Sequence, residues 1–386
     1  MEMMQTTLRQ SLERERDNIL GFWDREMTDH RFGGFFGKMS ADGKPDPFAI
    51  KGSVPMARIL QSFSAGALQT GRAEWLAAAE RAHSWFRQYC IDPEFGGVVW
   101  DTDYAGRCQD PKKEPHAMGQ ALYALATWQQ LRPSTENLNL AKGIYSLLHL
   151  YAHDPVRGGY TGACTRDWQP EKPDIKSVYD QLHILEGFTA LFAVWQDDGL
   201  RHHLNDLLQL FLDKIIDPVT HHLHLYFDAE WKPGGNLVSY GKDIQAAWQL
   251  QRAAEALGDE TLVQRTREAA LQLTDAALEG MDTDGGMWYK ADLETKHIVE
   301  EKRWWPQAEA MVGLVNAWQV SGNDKYLTQA GDTWQFIENY ILDRELGEWR
   351  WGVNRDNTPI PEEKAGFSKG PCHNSRACME IVRMLQ

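Results

Sequence analysis

Six stretches of the chain are apolar on more than one helical face: Val54–Ala67, His116–Trp128, Tyr179–Trp195, Lys242–Leu257, Pro306–Trp318 and Asn374–Leu385. Helices of that kind are enclosed by other elements. Between them run stretches with helical spacing and a broad polar face: Glu74–Tyr89, Asn137–Tyr151, Arg201–Ile215, Thr261–Leu278 and Lys325–Tyr340. That second pattern belongs to helices with one side in water. A further helix is predicted from Leu8 to Met27. The alternation therefore predicts twelve helices, six inside and six outside.

The connections repeat as well. Asp29, Asp92 and Asp154 each open a short turn that runs into a glycine pair, Gly33-Gly34, Gly96-Gly97 and Gly158-Gly159; Asp282 leads into Gly285-Gly286. Two worn copies follow Asp217 (into His221-His222) and Asp343 (into Gly347-Glu348-Trp349). The six aspartates are spaced by 63, 62, 63, 65 and 61 residues. Glycine supplies the positive φ of such reversals, and Asp42-Gly43 is a hairpin signal in the segment that follows one of them. One repeat cannot bury its own apolar face and must lean on its neighbours. The expected fold is all-α with short β-hairpins, an (α/α)6 barrel built as one domain over residues 1–386, with the hairpins at one mouth.

The repeat also places candidate chemistry. Counting 27 to 30 residues from each aspartate reaches Arg58, Gln120, His183, Gln245, Glu309 and His373. Each lies near the start of an apolar inner helix. A single buried polar residue is usually a satisfied core group, but six at equivalent positions converge on the axis of a closed ring. Burying polar groups is costly unless they find partners, so the ring predicts a pocket for a polar ligand.

Composition narrows the ligand. A formal charge of −15 opposes binding to nucleic acid or an anionic membrane, both polyanions. No apolar run approaches the roughly 20 residues of a membrane span, and the N-terminus has no signal-peptide core. Five cysteines without CxxC spacing read as reduced thiols, so the expectation is a cytoplasmic protein, monomer or homodimer. Sixteen tryptophans are mostly core residues, yet flat aromatic faces also stack on sugars. The His221-His222-Leu223-His224 cluster and His202-His203 lack a good helical ligand pair, and neither a metal nor a cofactor is expected.

Several stretches resemble the N-acylglucosamine 2-epimerase superfamily, nearest its cellobiose 2-epimerase branch. They are Lys51-Gly52 with Arg58-Ile59-Leu60, Gly119-Gln120-Ala121-Leu122-Tyr123, Leu182-His183-Ile184-Leu185-Glu186, Trp304-Trp305-Pro306-Gln307-Ala308-Glu309-Ala310 and His373-Asn374-Ser375-Arg376. The resemblance implies an (α/α)6 barrel that epimerises C2 of a free reducing sugar, or interconverts aldose and ketose, without a metal. It assigns Arg58 to substrate oxygens, His183 to ring opening or a polar contact, Trp304 and Trp305 to sugar stacking, Glu309 to polar support and His373 to acid/base work.

One motif departs from this pattern. The family's Gly-His-Asp-Ile-Glu stands here as Gly241-Lys242-Asp243-Ile244-Gln245, Tyr179 replaces an Asn, and Met118 replaces a pocket Tyr. Epimerisation needs acid/base groups on both faces of an enediolate; ketol isomerisation needs one. Lys242 joins His373 and His183 as a candidate catalytic residue, either as a base with its pKa lowered by roughly 3 units or as a cationic stabiliser. Asp243, next in sequence, would oppose that lowering if it faced the amine. Tyr179 and Gln245 join the candidate substrate contacts. Two alternatives remain: a binding protein that lost the reaction, and a glycoside hydrolase pairing Glu309 with Asp180 or Asp243.

Overall fold

The computed structural model describes residues 2–171 and 174–386. Twelve α-helices lie among the described residues: α1 (Glu2–Glu26), α2 (Ser53–Thr70), α3 (Ala73–Trp85), α4 (Pro115–Leu131), α5 (Thr135–Ala152), α6 (Val178–Val194), α7 (Asp198–Leu210), α8 (Tyr240–Leu257), α9 (Glu260–Ala277), α10 (Trp304–Ser321), α11 (Asp324–Phe336) and α12 (Cys372–Met384). Each of the twelve overlaps a stretch expected from the sequence. The polar-faced helices α3, α7 and α11 finish in a π-helical turn, at Phe86–Cys90, Phe211–Ile215 and Ile337–Ile341.

The even-numbered helices form the inner ring. α2 packs on α4, α4 on α6, α6 on α8, α8 on α10, α10 on α12, and α12 returns to α2. Their apolar residues are buried nearly all round, as with Leu122, Leu125, Leu182, Leu185, Leu250 and Leu314. The odd-numbered helices lie outside, and α1 closes the outer ring by packing on α12. Two indoles tie this seam: Trp23 donates to Glu348 at 2.7 Å and Trp349 to Glu15 at 2.8 Å.

The connecting segments pair from one repeat to the next, which the sequence pattern did not indicate. The strand ahead of each inner helix bridges to the turn region of the next repeat: Lys51 with Thr102, Lys113 with Cys164, Lys176 with Phe227, Val238 with Ala291, and Lys302 with Val353. Met39 with Ala365 closes the circle. All of these pairs precede inner-helix N-termini, so the hairpins crown one mouth.

The repeated aspartates hold this crown. One carboxylate oxygen of Asp29, Asp92, Asp154, Asp217 and Asp343 accepts the backbone N–H groups of the turn that follows. The other oxygen takes a lysine from the strand ahead of the inner helix. These pairs are Asp29–Lys51 at 2.7 Å, Asp92–Lys113 at 2.9 Å, Asp154–Lys176 at 2.8 Å and Asp343–Lys364 at 2.6 Å; Asp282–Lys302 follows at 2.7 Å. The lysines are almost wholly buried, so loss of either partner would strand a charge. In the fourth repeat the lysine position is Val238, and Asp217 meets His224 instead, at 3.2 Å. At the turn itself Gly97 has φ +69°, and a Cβ there would lie 2.6 Å from the Trp168 ring. His221 and Glu348 adopt the same left-handed backbone in the two worn copies.

Candidate active site

Because every inner helix starts at the mouth, position within a helix sets depth, at about 1.5 Å per residue. The first turns bring His116 (α4), Tyr179 (α6), Lys242 (α8), Trp305 (α10) and His373 (α12) to the cup. One turn deeper lie Arg58 (α2), Gln120, His183, Gln245, Glu309 and Arg376. Deeper still are Glu186, Trp248 and Gln249. In a ring of six, helices three places apart face each other, so α6 opposes α12 and α2 opposes α8. His183 therefore faces His373 across the axis, and Arg58 faces Lys242.

The deeper layer is a continuous hydrogen-bonded plate. Arg376 donates to Glu186 and to Glu309. Glu309 also accepts from Trp248 Nε1 at 3.0 Å and meets His373 Nδ1 at 2.5 Å. Glu186 accepts from Gln249 at 2.7 Å and from Gln120 at 2.8 Å. Gln120 in turn lies 2.9 Å from His183 Nδ1, and its carbonyl oxygen accepts from Arg58 Nε at 2.9 Å. On the far side of this plate a cavity of about 570 Å3 opens toward the opposite end of the barrel, lined in part by Glu186, Trp248 and Gln249.

This network fixes the tautomers. Arg58 can only donate, so the Gln120 carbonyl must face it and the Gln120 amide must face His183. His183 Nδ1 then accepts from Gln120 at 2.9 Å, a closer contact than its 3.4 Å to Glu186 Oε2, and its proton sits on Nε2. At His373 the assignment reverses, because the Glu309 carboxylate only accepts; Nδ1 carries the proton and Nε2 is a free lone pair. The two opposed histidines thus present one donor and one base.

Burial keeps both histidines neutral. It pushes His373 down to about 4 against the pull of Glu309, and holds His183 well below the usual imidazole range, with Lys242 and Arg58 acting in the same direction. His116 stacks on His183 with ring centres 4.3 Å apart and is lowered by burial likewise. For Glu309, burial works upward but is overcome by Arg376 and then His373, leaving it at about 2. Lys242 donates to Gln245 Oε1 at 2.8 Å, and its ammonium lies 5.1 Å from the Trp305 ring centre and 5.4 Å from that of Tyr179. Burial, and next Arg58, bring it down to about 7.

Residues 34–370 match the N-acylglucosamine 2-epimerase (GlcNAc 2-epimerase) family. The chain belongs to this family. A cellobiose 2-epimerase of Bacteroides fragilis is 36% identical, over 98% of this chain and 100% of its own length. A cellobiose 2-epimerase of Dictyoglomus turgidum is 32% identical, over 96% of each chain. The solved structure of a cellobiose 2-epimerase from Bacillus thermoamylovorans superposes with a TM-score of 0.93 at 29% identity, covering 99% of this chain and 100% of that one.

Among the other residues singled out in the epimerase-family motifs, Trp305 is partly exposed and lies 5.8 Å from the His373 ring. Trp304 is instead buried, packed on Trp351 at 4.8 Å and on the Lys369 ammonium. Met118 is fully buried, with its sulfur 3.3 Å from Val98 N, facing the hairpin and not the cup. Asp243 turns away from Lys242 and accepts from Leu223 N at 2.8 Å, with His222 Nδ1 at 2.7 Å from its other oxygen. It therefore offers Lys242 no counter-charge. The carboxylates that a glycoside hydrolase would pair are each engaged by other groups: Asp180 accepts from Ser177, Asp243 meets His222, and Glu309 is held ionised by Arg376 and His373. Among the described residues no group of three or more His, Cys, Asp or Glu could hold a metal ion, and no helix is long and apolar enough to cross a membrane.

Sequence reasoning missed roles for Glu186, Arg376, Trp248, Gln249 and His116. A signal existed for two of them. Glu186 and Arg376 lie three residues beyond His183 and His373, hence on the same helix face. Their convergence on each other depends on ring closure.

Proposed function

We propose that this chain is a carbohydrate isomerase of its family, moving the C2 proton of a free reducing sugar through an enediolate. The observation that carries this reading is the opposed histidine pair. His373 Nε2 is an unprotonated base oriented by Glu309, and His183 Nε2–H is a donor on the far wall, able to protonate the ring oxygen or hold an open-chain oxygen. Glu309 stabilises the imidazolium that forms when His373 takes the proton. Arg58 and Lys242 face each other across the same space and would stabilise the negative charge of the enediolate. Trp305 offers its face to the sugar ring.

The Lys242–Gln245 pair favours ketol isomerisation over 2-epimerisation. An amide oxygen orients an ammonium, whereas the imidazolium of a His–Glu pair has a carboxylate to absorb its charge. An enediolate between Arg58 and Lys242 raises the lysine pKa and keeps it cationic. His373 alone can lift the proton from C2 and return it to C1 on one face of the intermediate.

Incubating aldoses in D2O tests the reading. Deuterium at C1 of a ketose product is expected, and its appearance at C2 of an epimer would assign Lys242 a basic role. His373→Ala should abolish exchange. Absence of exchange with any mono- or disaccharide, while binding persists, would favour a member of the family that kept the cup and lost the chemistry.

A further inference from the structure

The charges around the cup do not balance. Its two carboxylates, Glu186 and Glu309, are both bound to Arg376. Arg58 uses only Nε within the protein, on the neutral Gln120. Lys242 is hydrogen-bonded to the neutral Gln245. Among the described residues neither cation has a carboxylate within ion-pair distance, although Arg58 is 9% exposed and Lys242 5%. A third cation, Lys290, stands at the rim 5.9 Å from the Tyr179 ring and 4.8 Å from Tyr289, also without a carboxylate partner. Of the other acidic groups near the mouth, Glu301 is paired with Arg303 at 2.8 Å and Asp180 is engaged by Ser177. A chain of net charge −15 thus places three cations without a carboxylate partner at one cavity.

Burying a charge is unfavourable unless a counter-charge meets it. Two opposed, uncompensated cations in one cavity are relieved by an anion placed between them, and aromatic walls at Tyr179 and Trp305 suit the C–H face of a sugar. We propose that the cup takes a reducing sugar bearing a negative charge, of the hexuronate class, held by Lys242 and Arg58 with Lys290 drawing it in at the rim. The proposal rests on the isomerase reading for the identity of the ligand as a sugar, and adds its charge.

The test is titration calorimetry with matched pairs: D-glucuronate against D-glucose, and D-galacturonate against D-galactose. The uronates should bind at least about tenfold more tightly at low salt, with the preference shrinking as salt screens the rim charge. Lys242→Met should remove the preference. Lys290→Met, at a half-buried rim position, should reduce it while leaving neutral sugars unaffected in relative order. Neutral sugars binding as well as their uronates would overturn the proposal, as would a lack of uronate binding at millimolar concentration, or a preference that survives both substitutions. Deuterium exchange distinguishes the two readings. Exchange with neutral sugars and no uronate preference removes only the charge inference, whereas uronate-selective binding without exchange removes the isomerase activity and keeps the ligand class.

Discussion

Lys242 makes the sharpest test of this site, because its state can be measured without knowing the substrate. In the unfolded chain its amine titrates near the ordinary value of 10.5, and in the folded chain burial and then Arg58 bring it to about 7. Over the interval between, the unfolded state holds a proton that the folded state has released. Folding stability therefore rises with pH by about 1.4 kcal/mol per pH unit, or roughly 4 kcal/mol from pH 7 to pH 10. Below pH 7 both states are protonated and the dependence ends. Lys242→Met keeps the volume and removes the titration. Urea unfolding of both proteins at pH 7, 8, 9 and 10 should show the variant more stable at neutral pH, by an amount that declines steadily toward pH 10. The loss of the Gln245 partner shifts every point equally and leaves the slope untouched. Placing Arg58→Met in both backgrounds should flatten the difference, since the amine then titrates higher. Parallel stability curves for wild type and Lys242→Met would refute the reasoning, because they would mean that the ammonium has a counter-charge in the fold.

Restoring the family pattern with Lys242→His and Gln245→Glu together should raise 2-epimerisation of a neutral disaccharide such as cellobiose, by about 100-fold for a recovered acid/base group, read as deuterium at C2; unchanged C2 labelling would count against the motif. Lys51→Met should cost about 3–5 kcal/mol, since among the described residues Asp29 has no second cation and a buried carboxylate is stranded. Lys113→Met should cost less, because Arg166 also pairs with Asp92, at 2.9 Å; equal shifts in urea midpoint would sink that distinction. Three imidazoles stack where α5 meets α7, His149 3.6 Å from His203 and 4.4 Å from His153. Burial lowers all three, His149 to about 4. The unfolded chain takes up their protons first, so stability should fall as pH drops from about 6.5 toward 4, and His149→Leu should make that fall shallower.

Much of the fold was legible because the repeat is written in spacing. The aspartates, glycine pairs and all-round apolar helices recur with enough regularity to require twelve helices in two rings. One clue was overlooked: a lysine stands 20 to 22 residues beyond five of the six aspartates. The fourth repeat, where Val238 takes that place, is also where His222 and Asp243 bond each other. The site was legible in part. Counting along the repeat reached Arg58, Gln120, His183, Gln245, Glu309 and His373, since inner-helix residues at one depth must share one cavity. Trp304 and Trp305 read alike in the sequence, yet a helix turns about 100° per residue, so one ring faces the cup and the other packs behind it.

By itself the sequence determined the sixfold repeat, the inner and outer helices, and the depth of each polar residue, because these follow from periodicity along one chain. Only the closed tertiary structure decided which residues meet: His183 opposite His373, Arg58 opposite Lys242, Arg376 joining Glu186 to Glu309, and Asp243 turned outward. Those pairings link residues up to 190 positions apart, and closure of the ring, a property of all six repeats together, sets their distances. The hydrogen bonds that fix the protons of the two histidines, and the cations left without partners, exist only once that ring is shut.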